Sequence, residues 1–222
     1  TGSWPVYDVQ RGDFEYYYWN STSATGNTGN TTYPGGIGAL SDGIQVWDDG
    51  AGSYNTNAPG GSYIGYAWKA NILPSVNTDG TIQSIVSVNQ AAGMSIVKYT
   101  GDGSASSTVG HGLGVIPDLT IFKSSSTSDF WHVFDTANTT VMFLNASTAA
   151  AAISGGTNGA VDIANMSSTT FGFLNGSSSV NNQNGSGTNY IVYAFKSISG
   201  FSKFGTYTGS GSDAFKNITV VL

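Results

Sequence analysis

Apolar residues in this chain alternate with polar ones in short runs, and Gly, Asn, Ser or Asp closes each run. That period of two is the mark of half-buried strands, not of helices. It predicts strands at 6–9, 14–19, 43–47, 62–69, 81–88, 95–100, 119–123, 130–134, 141–145, 170–174, 189–196, 203–208 and 218–222. Helical periodicity is nearly missing. The one Ala-rich stretch, 149–153, is too short for a helix and runs into Gly155-Gly156. In the run 189–196, Tyr190, Val192 and Ala194 share one face and Ile191, Tyr193 and Phe195 the other, so this strand is expected to be central and covered on both sides. The spacing of runs and turns predicts an all-β sandwich or barrel.

The pattern also repeats. Trp4-Pro-Val-Tyr-Asp8 reads like Trp131-His-Val-Phe-Asp135, and Tyr63-Ile-Gly-Tyr-Ala-Trp-Lys69 like Tyr190-Ile-Val-Tyr-Ala-Phe-Lys196, both at an offset of 127. Ile44 and Val46 fall on Phe171 and Phe173 at that same offset. Residues 95–104 resemble 203–212, with Tyr99 on Tyr207. Such repeats imply related supersecondary units. They predict two related β-sandwich modules: residues 94–200 form a whole one, 1–70 the back of one and 201–222 its opening strands, with 71–93 a connection that carries a strand. The first module is then split between the two ends of the chain. Phe204, Tyr207, Ile218, Val220 and Leu222 are the side chains expected to complete it, in cis or from a neighbouring subunit.

Composition narrows the function classes. Charged residues are 9% of the 222, well under the roughly 25% of ordinary soluble domains, yet the hydrophobic share of 39% is too high for a disordered chain. The surface must be polar and largely uncharged, as suits an exposed structural or glycan-facing protein. Net charge is −6, and the seven basic residues do not cluster, which argues against nucleic-acid binding. There is no cysteine for a disulfide or thiolate metal site. No apolar run reaches the ~18 residues of a membrane-spanning helix.

With these features in place, the residues carry a resemblance. Residues 79–89, then Ala92-Gly-Met-Ser-Ile-Val-Lys-Tyr-Thr-Gly-Asp-Gly103, then Val109-Gly-His-Gly-Leu-Gly114 with Pro117-Asp118, resemble a repeat common in structural proteins of marine tailed bacteriophages. In that repeat a Pro-led strand ending in Lys, a Trp-x-Val-Tyr/Phe-Asp segment and a closing Tyr-Ile-x-Tyr-Ala-Phe follow in order. The resemblance spans nearly the whole chain. It implies a concanavalin-like or jelly-roll module on a virion, in a tail fibre, tail tip or head surface. Partners would be further copies of the chain, other virion proteins or host surface glycans.

Candidate chemistry is sparse. Arg11-Gly12-Asp13 matches a three-residue integrin motif, but a hairpin end accounts for it better. His111 and His132 lack neighbours at metal-ligand spacing, and His111 between two glycines reads as a turn residue bonded to backbone. Glu15 is the single glutamate, and the aspartates are scattered over turns, which does not suit the paired carboxylates of a glycosidase. The expectation is a protein that is not an enzyme and needs no cofactor or metal. A calcium site from Asp48, Asp49 and Asn55, or from Asp102 and Asp118, has the right oxygen chemistry but no recognised loop spacing. Trp19, Trp47 and Tyr54 are the candidates for stacking on sugars in the alternative reading, a carbohydrate-binding adhesin. Tyr16, Tyr17 and Tyr18 are further candidates, with core or interface burial the competing role for all six. Eight Asn-x-Ser/Thr triplets are no more than a chain so rich in these residues supplies by chance.

Overall fold

The computed structural model describes residues 4–12, 15–27, 36–40, 43–47, 56–71, 73–104, 106–137, 140–147, 151–152, 161–162, 165–173, 183–209, 211 and 220. Among these residues all the regular structure longer than a single residue is strand, as the alternating pattern predicted. The first part of the chain holds β1 (Pro5–Val6), β2 (Glu15–Tyr18), β3 (Gly26–Asn27), β4 (Gly36–Ala39) and β5 (Ile44–Trp47). Then come β6 (Ser75–Asn77), β7 (Ser84–Asn89), β8 (Met94–Thr100), β9 (Thr108–Gly110) and β10 (Leu119–Ser124). The last are β11 (His132–Asp135), β12 (Thr140–Phe143), β13 (Ala151–Ala152), β14 (Val161–Asp162), β15 (Thr170–Phe173) and β16 (Asn189–Phe195).

One antiparallel sheet of eight strands organises the molecule, in the order β13-β12-β11-β10-β16-β8-β7-β6. The stretch 71–93, read from the sequence as a connection, supplies β6 and β7 of this sheet. β16 lies at its centre, paired with β10 (Phe122↔Val192) and with β8 (Val97↔Val192). Its alternation is used on both faces. Tyr190, Val192 and Ala194 join Val97, Tyr99, Phe122, Phe134 and Val141 under the small sheet β14-β15-β9, which brings Val109, Phe171 and Phe173. Ile191 and Tyr193 join Met94, Ile96, Ile121, Trp131 and Val133 on the opposite face. A one-residue slip of β16 would exchange the two sets, so two buried faces hold the register firmly.

The second face is covered by the amino-terminal segment. Tyr17 is fully buried there, and Val6, Val9, Trp19 and Ala70 pack beside it. Trp131 meets Tyr17 edge-on at 5.3 Å and stacks on Trp19 at 4.6 Å. The described residues thus build three layers about one central sheet, and they do not form a second complete sandwich. The expected superposition of the two repeats holds only in part. Trp4 is 67% exposed where Trp131 is fully buried, and Tyr66 is 80% exposed where Tyr193 is buried. Residues 63–69 form no strand. The physical reason is neighbours: β16 has β10 and β8 on its two edges, and among the described residues no strand pairs with 63–69.

The turn glycines of the resembling motifs have specific work. A Cβ on Gly101 would sit 2.4 Å from the Gly185 carbonyl oxygen, so only glycine lets these two turns touch. Gly112, with φ of +72°, adopts the left-handed backbone that glycine tolerates best.

Candidate functional site

The repeat is clearest in its hairpins. Trp131 N donates to Asn145 Oδ1 at 3.0 Å, and Leu144 N donates to Trp131 O at 3.1 Å. Trp4 N donates to Asn20 Oδ1 at 3.3 Å, and Trp19 N donates to Trp4 O at 3.0 Å. The aspartate ending each Trp-x-Val-Tyr/Phe-Asp segment closes an Asx turn: Asp135 Oδ1 accepts from Ala137 N at 2.9 Å, and Asp8 Oδ1 from Gln10 N at 3.0 Å. A side-chain acceptor at each end of the segment thus fixes one hairpin twice. β4 pairs antiparallel with β5 (Ile37↔Val46) as β14 does with β15 (Val161↔Phe173), with a connection three residues longer in the second hairpin.

What differs is what the hairpin does. Asp8 Oδ2 accepts from Arg11 Nε at 2.6 Å and from the Tyr193 hydroxyl at 2.6 Å, while Arg11 Nη2 donates to Val6 O at 2.9 Å. The Asp8 and Arg11 side chains are 2% exposed, and the guanidinium lies 4.0 Å from the centre of the Tyr17 ring. Burial works against the Arg11 charge, but Tyr193, Asp8 and Tyr17 outweigh it and hold the guanidinium more firmly protonated than usual. Burial drives the Tyr193 hydroxyl well above its ordinary range. This network ties the first hairpin to the centre of β16. It also takes Arg11 out of reach of any receptor; Asp13 lies outside the described residues.

Lys123 is a second buried cation. Its Nζ donates to Ser124 O at 3.0 Å and to Thr22 O at 3.2 Å, and burial lowers its pKa to about 8 against the opposing charge of Asp129. His111 Nδ1 accepts from Leu113 N at 3.2 Å, which leaves Nε2 to donate to Ser167 O at 3.2 Å. Burial lowers its pKa, with the Ser167 carbonyl and Asp79 opposing. Burial acts to raise Asp102, yet hydrogen bonds from Ser107, Ser104 and Asn184 hold it below the usual carboxylate range. Asp118 is likewise held low, against burial, by Lys196 and Ser197. Each of these groups has a structural partner. Among the described residues no three His, Cys, Asp or Glu side chains gather as metal ligands do. Asp48, Asp49 and Asn55 lie outside the described residues.

The residues singled out for stacking and assembly fall apart in space. Trp19 is half-buried, with one face spent on Trp131. Trp47 ends β5, its side chain outside the described residues, as is Tyr54. Phe204 is half-buried against Phe195, ring centres 5.4 Å apart. Tyr207 and Val220 are 69% and 59% exposed. Ile218 and Leu222 lie outside the described residues. A run of exposed apolar side chains was not among them: Tyr63, Ile64, Tyr66 and Trp68 are all more than half exposed. Trp68 touches Phe195 edge-on at 6.2 Å and stacks on Tyr66 at 6.3 Å. Lys69 O accepts from Asn89 Nδ2 at 2.9 Å, anchoring the end of this segment to the large sheet. The signal for it was already in the repeat, since its counterpart is β16.

These features define a class: an all-β protein of layered antiparallel sheets, with a repeated hairpin and one repeat segment, 63–69, that forms no strand. Residues 1–217 match the family model described as a domain of unknown function, DUF7483, and the chain belongs to that family. No curated protein and no solved structure matches it. Among the described residues no helix is long and apolar enough to cross a membrane.

Proposed function

We propose that this chain is a non-enzymatic structural β-repeat protein of a virion surface or fibre, which assembles when strands from another unit complete the first repeat. The observation that carries this reading is residues 63–69. Their counterpart β16 is paired on both edges and packed on both faces, whereas among the described residues they form no strand pairing and expose Tyr63, Ile64, Tyr66 and Trp68. Burying four such side chains returns about 1.5–3 kcal/mol each, which only balances the 4–15 kcal/mol cost of association. A backbone ladder, at about 0.5–1.5 kcal/mol net per hydrogen bond, is what tips the balance toward assembly. Strand addition to an open edge supplies that ladder. The sparse charge and the resemblance to phage structural repeats support the setting.

Sedimentation velocity tests it. The protein should form concentration-dependent oligomers, and Ile64→Asp with Tyr66→Asp should leave it monomeric with its β circular dichroism intact. A wild-type protein that stays monomeric at high concentration would overturn the proposal. The exposed Tyr66–Trp68 pair also suits the adhesin reading, in which these rings stack on host glycans. Reproducible glycan-array binding lost on Trp68→Ala, in a protein that remains monomeric, would favour that alternative.

A further inference from the structure

We propose that residues 62–68 pair antiparallel with residues 62–68 of a second copy of this chain, about a two-fold axis at Gly65. Gly65 then faces Gly65, Ile64 faces Tyr66 and Tyr63 faces Ala67 of the other copy. This rests on the assembly function proposed above, and it names the partner strand and its register at that same segment.

The free stretch of backbone has defined ends. Gly61 N donates to Ala58 O at 3.1 Å, and Lys69 O accepts from Asn89 Nδ2 at 2.9 Å. Between them, among the described residues, no hydrogen bond uses an N–H or C=O of residues 62–68. Every residue of that stretch is exposed. A run of open peptide groups is the template on which another strand adds. The contacts the stretch already makes belong to its side chains. The Tyr63 hydroxyl accepts from Ala58 N at 3.0 Å, which sets its ring beside Gly61, and Trp68 touches Tyr66 and Phe195. None of these contacts occupies the backbone.

The stretch is also suited to meet itself. A two-fold contact brings like residues together, so a charge near its axis would repel its own copy. The sequence has no charged residue from Gly50 to Trp68 and no proline from Gly60 to Trp68. The usual devices that keep sheet edges apart are thus missing here. Lys69 is the next charge, and in this pairing it stands about 27 Å along the strands from its copy.

The register follows from the midpoint. Residues 62–68 are all paired only with Gly65 on the axis. Moving the axis by one residue leaves two of them unpaired or draws in Gly61 or Lys69, which already hold hydrogen bonds. The central register sets Ile64 against Tyr66 once on each side of the axis, an aromatic–β-branched pair that favours antiparallel strands. Tyr63, its ring already placed, meets the small Ala67 on the other face. More than half of Tyr63, Ile64, Tyr66 and Trp68 is exposed. At about 150–250 Å² for a fully covered aromatic side chain, the two copies together bury on the order of 1,000 Å², the lower bound for a specific interface. The dimer should therefore form and dissociate with concentration, and the opposite edge of each segment stays open to a further strand.

The chain contains no cysteine, so an introduced one reports alone. A Cβ at Gly65 meets nothing within 4 Å, and its φ is not positive. Full-length Gly65→Cys is oxidised mildly and run on non-reducing gels, its fold checked by circular dichroism before oxidation. A disulfide-linked dimer is expected, because directly opposed residues fall within disulfide reach. Ala67→Cys alone should give none above background, its two cysteines being displaced by about 14 Å along the strands. Ala67→Cys mixed with Tyr63→Cys should link, an independent opposed pair that spares Gly65.

Equal dimer yields from Gly65→Cys and from Ala67→Cys alone would overturn the antiparallel register, as would linkage at Gly65 with none in the Tyr63→Cys and Ala67→Cys mixture. No disulfide from either opposed arrangement, in proteins that still self-associate by sedimentation, overturns this partner strand while leaving the assembly function standing. No disulfide and no self-association overturns both.

Discussion

Replacing Arg11 by Met tests whether the buried Asp8–Arg11–Tyr193 network fastens the first hairpin to the central sheet. Met keeps the length and apolar stem of Arg but loses the 2.6 Å ion pair to Asp8 Oδ2, the 2.9 Å bond to Val6 O and the contact with the Tyr17 ring. Asp8 keeps two backbone N–H donors and the Tyr193 hydroxyl. Breaking a buried pair from one side costs about 3–5 kcal/mol, and the three surviving donors place this case near 3. For a chain of this size each kcal/mol moves Tm by about 2–4 °C, so the expected fall is about 6–12 °C. Tyr193→Phe, which removes the hydrogen bond to Asp8 and the longer 3.3 Å one from Arg11 Nη2 and leaves no cavity, should cost about 1.5–3 kcal/mol. Asp8→Asn combined with Arg11→Met should recover part of the loss, because Asn still closes the Asx turn and no buried charge is stranded. Urea melts of the four proteins give the energies. An Arg11→Met protein within about 0.5 kcal/mol of wild type, in the range of an ordinary surface change, would refute the reasoning, as would a double variant weaker than Arg11→Met alone.

Four further predictions follow from buried groups. Lys123 has a folded pKa of about 8, below its unfolded value, so the unfolded chain holds the extra proton between pH 8 and about 10.5, and stability should rise with pH across that window. Lys123→Met should flatten the rise, and parallel pH profiles for the two proteins would contradict it. Tyr99 and Tyr193 have pKa values raised by burial, so their contribution is intact below their unfolded value near 10 and is lost above it, turning the profile downward there. His111, lowered by burial, should cost stability as pH falls below about 6.5, and His111→Gln should lose that acid dependence. Gly101→Ala should destabilise by more than the ~1 kcal/mol of an ordinary Gly–Ala exchange, because its methyl would strike the Gly185 carbonyl; a thermal melt at the wild-type temperature would contradict this.

How much of this was legible in the sequence varies by residue. The strand content and the two faces of β16 could be read directly, because period-2 alternation translates into burial whenever both sides of a strand are covered. The 127-residue offset located both Trp hairpins. Asn20 and Asn145, however, stood in the sequence only as members of Asn-x-Ser/Thr triplets; their role in capping Trp4 and Trp131 depends on a cross-strand partner 16 or 14 residues away. Trp19 looked like a sugar platform because nothing local shows that Trp131 lies over it. The Asp8–Tyr193 bond spans 185 residues and joins two different repeats, so no window on the sequence contains it. Lys123 was visible as the end of a Pro-led strand, but its burial arises only when the segment around Thr22 folds across it. Residues 63–69 gave the opposite lesson. Their pattern is that of a central strand, and among the described residues no strand lies along either of their edges.

That open segment is the centre of the account, and amide hydrogen exchange of residues 63–68 measured against protein concentration tests it most directly. In dilute protein these amides should exchange at rates close to those of an unstructured peptide. At concentrations where the protein has assembled they should become protected to the degree of residues 190–195 in β16, since pairing on both edges makes opening require loss of the assembly. Fast exchange of residues 63–68 at every concentration, in a protein that sedimentation shows to be oligomeric, would contradict strand complementation.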